Sequence, residues 1–293
     1  MIHPAARARQ LDKLSVDKDH QRIVHLLAGY EFPWDFVRSL EIALLRSYSS
    51  PSVSRLLDMT GEFRERGQKR YDDTALLVAE FMKNGYDSPR GAAAIKRMNE
   101  QHAQFNIPNR DFLFVLSTFV LDPIDWMSQY AWRPMTQREC DALFLFWKNV
   151  GERMGLSEIP GNLVELREFA AEYSARNIRF DERNRRVVNA TFYFAKRWLP
   201  LGARWILVPS VNALIDSTMR EAFGLGRPPR LLSAFLKAAL RTRGLVVSLM
   251  PKRKYPAFFC DAPTRTYRSA GYEIEQLGPP TGTKITIKDP ESS

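Results

Sequence analysis

Apolar residues recur every three to four positions along most of the chain, which is the spacing of amphipathic helices. Residues 34–47 are predicted to form a helix with two apolar faces, broken after Ser49 and Ser50 by Pro51, which fits the first turn of the next helix. Residues 72–84 are predicted to form another helix, with a single apolar stripe and with Gly85 as its cap.

A third predicted helix carries a histidine on its apolar face. Ser88 followed by Pro89 is a helix start, because serine caps the first turn and proline fits it, and Pro108 ends the helix. The residues that share the apolar face are Ala92, Ile95, Met98, His102 and Phe105. His102 is therefore predicted to project from the buried side of this helix.

Helices are predicted in the rest of the chain as well. Thr136 and Glu139 form a capping box that opens a helix ending at Gly155. A short strand is expected at residues 284–288. Further helices are predicted over residues 110–121, 164–178, 200–223 and 229–249. Because strands do not alternate with these helices, the predicted fold class is all-α, a single multi-helix domain with an irregular C-terminal tail.

Length and composition are those of a globular protein. The 293 residues suit one large domain or two small ones, and the hydrophobic share is 45%. Residues 1–22 lack the apolar core of a signal peptide. The longest apolar stretch, residues 112–121, is too short to span a bilayer. A cytoplasmic protein with two free thiols, Cys140 and Cys260, is expected, and a single disulfide is the alternative.

The chain carries a formal net charge of +10, which favours acidic partners such as nucleic acid or an anionic membrane surface. The basic residues are spread along the chain and form no arginine-rich helix. A solvated surface is therefore favoured over nucleic-acid binding, and no nucleic-acid partner is expected. The basic C-terminal third predicts a weak, salt-sensitive contact with an anionic membrane surface.

Most catalytic motifs are missing from the sequence. The H-E-x-x-H zinc helix, the phosphate loop, paired Glu-x-x-His motifs and the G-x-S-x-G elbow are all absent. Of the four histidines, His3 lies near the N-terminus, and the spacing of His20 and His25 does not place both on one helical face. The pattern around His102 is most often that of a hydrogen-bonded core histidine, and a proximal haem ligand is the other interpretation.

Six stretches of the sequence resemble the MpaB-type oxygenases, whose superfamily also contains the latex-clearing proteins, or rubber oxygenases. Their order and spacing carry the resemblance, which covers most of the chain from about residue 32. The stretches are residues 69–74, 97–105, 107–113, 130–136 with Glu139, 220–224 and 271–278.

The resemblance implies an all-helical fold with a globin-like core that holds one haem b, its iron bound by a histidine. Members of the superfamily cleave carbon–carbon double bonds of isoprenoid chains with dioxygen. The fungal members are anchored to the endoplasmic reticulum by an N-terminal segment that this sequence lacks. We therefore expect a soluble, bacterial-style relative that is cytoplasmic or peripheral to the membrane. The haem is expected to be non-covalent, because no C-x-x-C-H motif is present.

The resemblance also assigns roles to individual residues. His102 is the expected metal ligand. The family pattern of an arginine and a threonine four residues later falls on Arg70 and Thr74, as cofactor-binding and catalytic residues, and Arg133 is carried over as a further cofactor-binding residue. Helical spacing independently places Arg70 and Thr74 on one face. Without the resemblance, Arg70 would be interpreted as part of a surface ion pair, and Thr74 as an ordinary residue of the helix stripe.

Two more features of rubber oxygenases, an acidic residue and a lysine near the haem, are harder to place. Asp58 and Glu62 lie in the right region for the acid, and Asp73 stands at the offset of the lysine, which is therefore missing. Arg70 is expected to bond a haem propionate, and steadying a partly negative oxygen species is the alternative.

The predicted function is that of a haem b-dependent oxygenase acting on a hydrophobic, isoprenoid-like substrate with dioxygen. The alternative is a non-enzymatic helical protein that carries haem or binds a membrane surface. The predicted organisation is an N-terminal extension over residues 1–30, the helical haem-binding oxygenase domain over residues 31–280 and a flexible tail over residues 281–293.

Overall fold

Helices form the regular structure of the computed structural model, which describes residues 11–268 and 271–279. No strand is found among these residues, and the predicted all-α, single-domain fold is confirmed. The helices are α1 Val16–Leu26, α2 Pro33–Ser47, α3 Pro51–Thr60, α4 Glu62–Asn84, α5 Pro89–His102, α6 Asn109–Tyr130, α7 Gln137–Arg153, α8 Leu163–Asn177, α9 Glu182–Ala195, α10 Leu207–Leu214, α11 Ser217–Phe223 and α12 Arg230–Leu249.

Helix starts with strong local caps lie where the sequence predicts them. The Ser88 hydroxyl accepts a hydrogen bond from the Gly91 N–H at 3.0 Å, and α5 begins at the following proline. Thr136 and Glu139 form the predicted capping box at the start of α7. These starts depend on residues within one turn of each other, which is why a local pattern identifies them.

The single helix predicted over residues 200–223 is wrong. The chain forms a 3₁₀ segment over Leu201–Ile206, then α10 and then α11. Asp216 interrupts the helical run, because its side chain accepts a hydrogen bond from the Met219 N–H at 2.9 Å and so caps α11.

Other helix bounds also differ from the predictions. Helix α4 starts at Glu62 instead of residue 72, and α6 continues through Pro123 instead of ending at residue 121. Helix α5 ends at His102 and does not run to Pro108, so Phe105 lies beyond it, and Ala92 on the predicted apolar face is exposed. Helix α9 was not predicted. The strand predicted at residues 284–288 and the tail predicted at residues 281–293 lie outside the described residues.

The core has two parts. The larger part is built from α1, α2, α4, α5, α6 and α7, and α1 contributes Ile23 and Val24, which are essentially inaccessible to solvent. The smaller part lies between α3, α9 and α11 and includes Phe63 and Phe223. Helix α4 passes between the two parts, so its residues reach both.

After α12 the chain returns across α4 and α5 in a segment that we call the C-terminal strap, residues 264–268 and 271–279. On the α4 side, buried Asp73 accepts hydrogen bonds from the Tyr267 hydroxyl at 2.6 Å and from the Gly278 N–H at 2.9 Å. Lys69 pairs with the same carboxylate at 2.7 Å. Asp73, which stands where the rubber oxygenases have a lysine, therefore holds the strap in place.

The strap is fixed to α5 as well. The buried Arg97 guanidinium donates hydrogen bonds to the Leu277 carbonyl at 2.7 Å and to the Pro279 carbonyl at 3.0 Å. Because the strap binds both helices, it holds α4 and α5 in one arrangement. Within the described residues, no helix combines the length and the apolar character that crossing a bilayer requires.

Candidate functional site

Arg70 and Thr74 lie one turn apart on α4, and their side chains are hydrogen-bonded to each other. An Arg70 guanidinium N–H donates to the Thr74 hydroxyl oxygen, and that hydroxyl donates to the Arg70 carbonyl at 2.9 Å. The guanidinium also lies 5.8 Å from the centre of the Phe63 ring. These contacts fix the direction of the Arg70 side chain.

His102 is the last residue of α5 and packs edge-on against the Phe112 ring, with 5.2 Å between ring centres. Its Nδ1 atom is buried and has no hydrogen-bond partner among the described residues. Burial, with a smaller effect from the positive charge of Arg70, lowers the pKa of His102 to about 4. At neutral pH the imidazole is therefore uncharged and keeps the nitrogen lone pair that binds a metal.

The electrostatic effect of Arg70 reaches both neighbouring helices. Its charge helps to lower the pKa of His102 on α5, and it opposes the rise in the pKa of Tyr48 that burial causes. Arg70 is half-buried and forms no ion pair with a carboxylate within the part of the chain that the structure describes. A cation held in this way favours an anionic ligand, because a partly desolvated guanidinium without a counter-charge is costly.

An apolar cavity of about 60 Å³ has Thr74 in its wall. Its wall comes from α2, α4, α6 and the 3₁₀ turn Phe259–Asp261, and it includes Leu40, Leu44, Ala75, Val78, Met82, Phe119 and Phe258. The cavity is large enough for dioxygen or a short alkyl segment.

Glu41 contributes a carboxyl group to this apolar wall. It accepts a hydrogen bond from the Tyr71 hydroxyl at 2.6 Å and pairs with Arg38 at 2.8 Å. Burial raises the pKa of Glu41, although Arg38 and the Tyr71 hydrogen bond oppose the rise. A carboxyl group with a raised pKa holds its proton at a higher pH than a solvent-exposed carboxyl group does, which suits it to proton exchange in an apolar cavity.

The acid candidates chosen from the sequence lie elsewhere. Asp58 pairs with Arg186 at 2.6 Å, and Glu62 pairs with Arg66 one turn away. Glu41 was missed, although a signal was present, because it is a carboxylate inside the apolar run of the helix predicted over residues 34–47.

The structure does not bring Arg133 together with the other predicted site residues. Its guanidinium makes two hydrogen bonds to Glu139, at 2.6 and 2.7 Å, and lies 4.9 Å from the centre of the Phe32 ring. Arg133 lines a separate cavity of about 310 Å³, and Arg70, Thr74 and His102 are not in the wall of that cavity.

The site offers one histidine nitrogen, and no group of three His, Cys, Asp or Glu side chains within the described residues could hold a metal ion. A haem iron needs only one protein ligand, because the porphyrin supplies four nitrogens. Cys140 and Cys260 are free thiols, as predicted.

A helical scaffold with an uncharged, half-buried histidine, an apolar cavity and an arginine that has no carboxylate partner among the described residues has the features of a cofactor-dependent enzyme. The family model described as "ER-bound oxygenase mpaB/B'/Rubber oxygenase, catalytic domain" matches residues 34–244. The chain belongs to this family. The match includes Glu41, Arg70, Thr74, His102 and Arg133, and it excludes α1 and the strap.

Two curated relatives carry related names. The ER-bound oxygenase mpaB' of Penicillium brevicompactum is 29% identical over 246 residues, which are 78% of this chain and 58% of the relative. The ER-bound oxygenase mpaB of Penicillium roqueforti (strain FM164) is 31% identical over 229 residues, which are 70% of this chain and 75% of the relative. The chain thus spans less than two thirds of the length of the first of these relatives.

Proposed function

We propose that this chain is a haem b-dependent oxygenase that cleaves a carbon–carbon double bond of a hydrophobic, isoprenoid-like substrate with dioxygen. The observation that carries the proposal is that an uncharged His102 lies within the electrostatic reach of Arg70. Among the described residues, the Nδ1 atom of His102 has no hydrogen-bond partner, and half-buried Arg70 has no carboxylate partner. Family membership supports the oxygenase class.

The residues fit what a haem requires. The iron takes an imidazole nitrogen, for which His102 is uncharged at neutral pH, and the propionates take cations, for which Arg70 is available. When bound, the haem supplies the dioxygen chemistry that amino-acid side chains lack. Arg133 is not part of the proposal, because Glu139 already pairs with it.

The chain's own residues orient the substrate and handle its protons. The apolar wall beside Thr74 excludes water and accepts an alkyl segment, and Glu41 exchanges a proton with a substrate held there. In the overall reaction, one dioxygen and one carbon–carbon double bond give two carbonyl groups, so atoms and electrons balance without a further reductant.

We also propose the extent of the haem-binding unit and the place where the protein works. The haem-binding unit spans residues 31–280, and the protein works in the cytoplasm or at the periphery of a membrane. The substrate is hydrophobic, because the cavity wall is almost wholly apolar.

Oxygen uptake by haem-loaded protein tests the activity. A panel of squalene, polyprenols and polyisoprene is incubated with ¹⁸O₂, and the products are trapped with a carbonyl-reactive hydrazine. We expect uptake that depends on an unsaturated chain, with ¹⁸O in both product carbonyls. Haem-loaded protein that consumes no oxygen with any member of the panel would favour the haem carrier instead.

A further inference from the structure

Helix α12 presents apolar residues on two opposite sides. Its inner side packs against α6 and α10 and includes half-buried Leu236 and Leu240. Gly244 is buried at this contact, where a Cβ atom would lie 2.8 Å from the Tyr130 carbonyl oxygen. The two backbones approach too closely for a larger residue, so the inner side is fixed against the protein.

The outer side of α12 carries a line of large apolar residues that faces solvent. Leu231 and Phe235 are 86% and 68% exposed, and Leu245 and Leu249 are 67% and 87% exposed. Their positions fall on one helical face, with Ala238 and Thr242 between them. We call this face the α12 stripe. A stripe of this kind on a surface helix indicates a docking surface.

The segment that carries the α12 stripe is basic, although Asp35 on α2 pairs with Arg243 on α12 at 2.7 Å. Residues 222–260 contain no Asp or Glu. They contain eight cationic residues, namely Arg227, Arg230, Lys237, Arg241, Arg243, Lys252, Arg253 and Lys254. Lys237 and Arg241 are exposed and border the stripe along one edge. Because an apolar stripe with basic edges is the pattern of an interfacial helix, the surface fits an anionic lipid bilayer.

A neighbouring element adds large exposed apolar groups. Leu201 and Trp205 protrude from the 3₁₀ segment that leads directly into α10, and α10 packs on α12. Tryptophan is favoured at the boundary between lipid and water, because its ring is apolar and its N–H is polar.

We propose that the α12 stripe docks on the surface of an anionic bilayer, with Lys237 and Arg241 contacting lipid headgroups. A second copy of the chain fits this face less well, because a symmetric contact would place equal positive charges against each other. The inference rests on the composition of this surface and is independent of the haem proposal.

Vesicle flotation of the full chain tests the proposal. One set of vesicles is phosphatidylcholine alone, and the other contains about 30% phosphatidylglycerol. At low salt we expect at least about fivefold more protein on the anionic vesicles, the effect of a single cation at such a surface, and most of this binding should be lost at about 0.5 M NaCl. Equal binding to both sets of vesicles would overturn the proposal.

Matched variants locate the contact. Leu249→Ser should reduce binding several-fold, whereas Val164→Ser, at a 66% exposed position of α8, should leave it unchanged. Lys237→Glu/Arg241→Glu should abolish the preference for anionic lipid, whereas the same charge change at exposed Arg64 and Lys96 should not. Equal losses in variant and control would overturn the assignment.

The oligomeric state tests whether a second copy of the chain, and not a bilayer, covers the α12 stripe. Circular dichroism first confirms that each variant keeps the helical content of the wild type. Light scattering on the wild type should then show a monomer at micromolar concentration. A dimer that Leu249→Ser dissociates would overturn the proposal and assign the α12 stripe to self-association.

Discussion

The positive charge of Arg70 on α4 reaches His102 on α5, although the two side chains do not attract each other. The Arg70 charge disfavours protonation of His102 and adds to the effect of burial on its pKa. The C-terminal strap holds the two helices, through Asp73 on α4 and Arg97 on α5. The fold thus keeps the imidazole within the electrostatic reach of the guanidinium.

Replacing Arg70 shows whether this residue binds the haem or takes part in the reaction. If Arg70 binds a propionate, Arg70→Ala should lower haem occupancy and leave turnover per bound haem within about twofold, because the group acts on binding only. Arg66→Ala is the control, since Arg66 is more exposed on the same helix and pairs with Glu62. Full occupancy with turnover reduced on the order of a hundredfold would assign Arg70 to the chemistry instead.

Glu41 is expected to handle a proton. Glu41→Gln should keep haem occupancy and reduce turnover on the order of a hundredfold, because the amide cannot exchange a proton at the same position. Glu65→Gln, at an exposed position of α4, serves as the control. Glu41→Asp should recover part of the rate with a shifted pH profile. An unchanged rate in Glu41→Gln would remove this residue from the mechanism.

Stability should depend on pH through His102. The pKa of His102 is about 4 in the folded protein and about 6.5 in the unfolded chain, so the unfolded chain binds the extra proton between these values. The free energy of unfolding should therefore fall as the pH drops from about 6.5 to about 4, by about 1–3 kcal/mol more in the wild type than in His102→Gln.

Urea unfolding of both haem-free proteins at several pH values measures this difference. Subtracting the two curves cancels the titration of the groups that the proteins share. Parallel curves across the whole range would show that His102 titrates normally, and that its burial does not govern its charge.

The strap should support the site. Arg97→Met removes two hydrogen bonds to strap carbonyls and should destabilise the fold by about 2 kcal/mol. Hydrogen exchange should rise in peptides covering residues 271–279, and haem affinity should fall. Arg176→Met is the control, because Arg176 is 70% exposed. Unchanged exchange in Arg97→Met would show that the strap is held by other contacts.

The sequence alone was sufficient to predict helix starts that depend on neighbouring residues. The caps at Ser88 and Thr136 each depend on residues within one turn. Helix α9 was missed because its first turns are charged and polar, so the apolar period begins only at Val187. Its start at the Asp181 cap is clear in the structure.

The rest of the site depends on contacts between distant residues. Asp73 meets Tyr267 and Gly278 from the far end of the chain, so its role as an anchor has no local signal. Glu41 becomes a candidate only when α2 and α4 enclose the cavity beside Thr74. The role that the resemblance gives to Arg133 stays a prediction, and its pairing with Glu139 is a contact that the resemblance did not indicate.

The haem content of wild type and His102→Ala, expressed side by side with ample iron, tests the central claim most directly. Pyridine haemochromogen spectra and spectra of the reduced protein with carbon monoxide give the amount and type of haem. We expect about one haem b per chain in the wild type and in His25→Ala, and negligible haem in His102→Ala. Wild-type protein without haem, or His102→Ala with full haem and an unchanged spectrum, would contradict it.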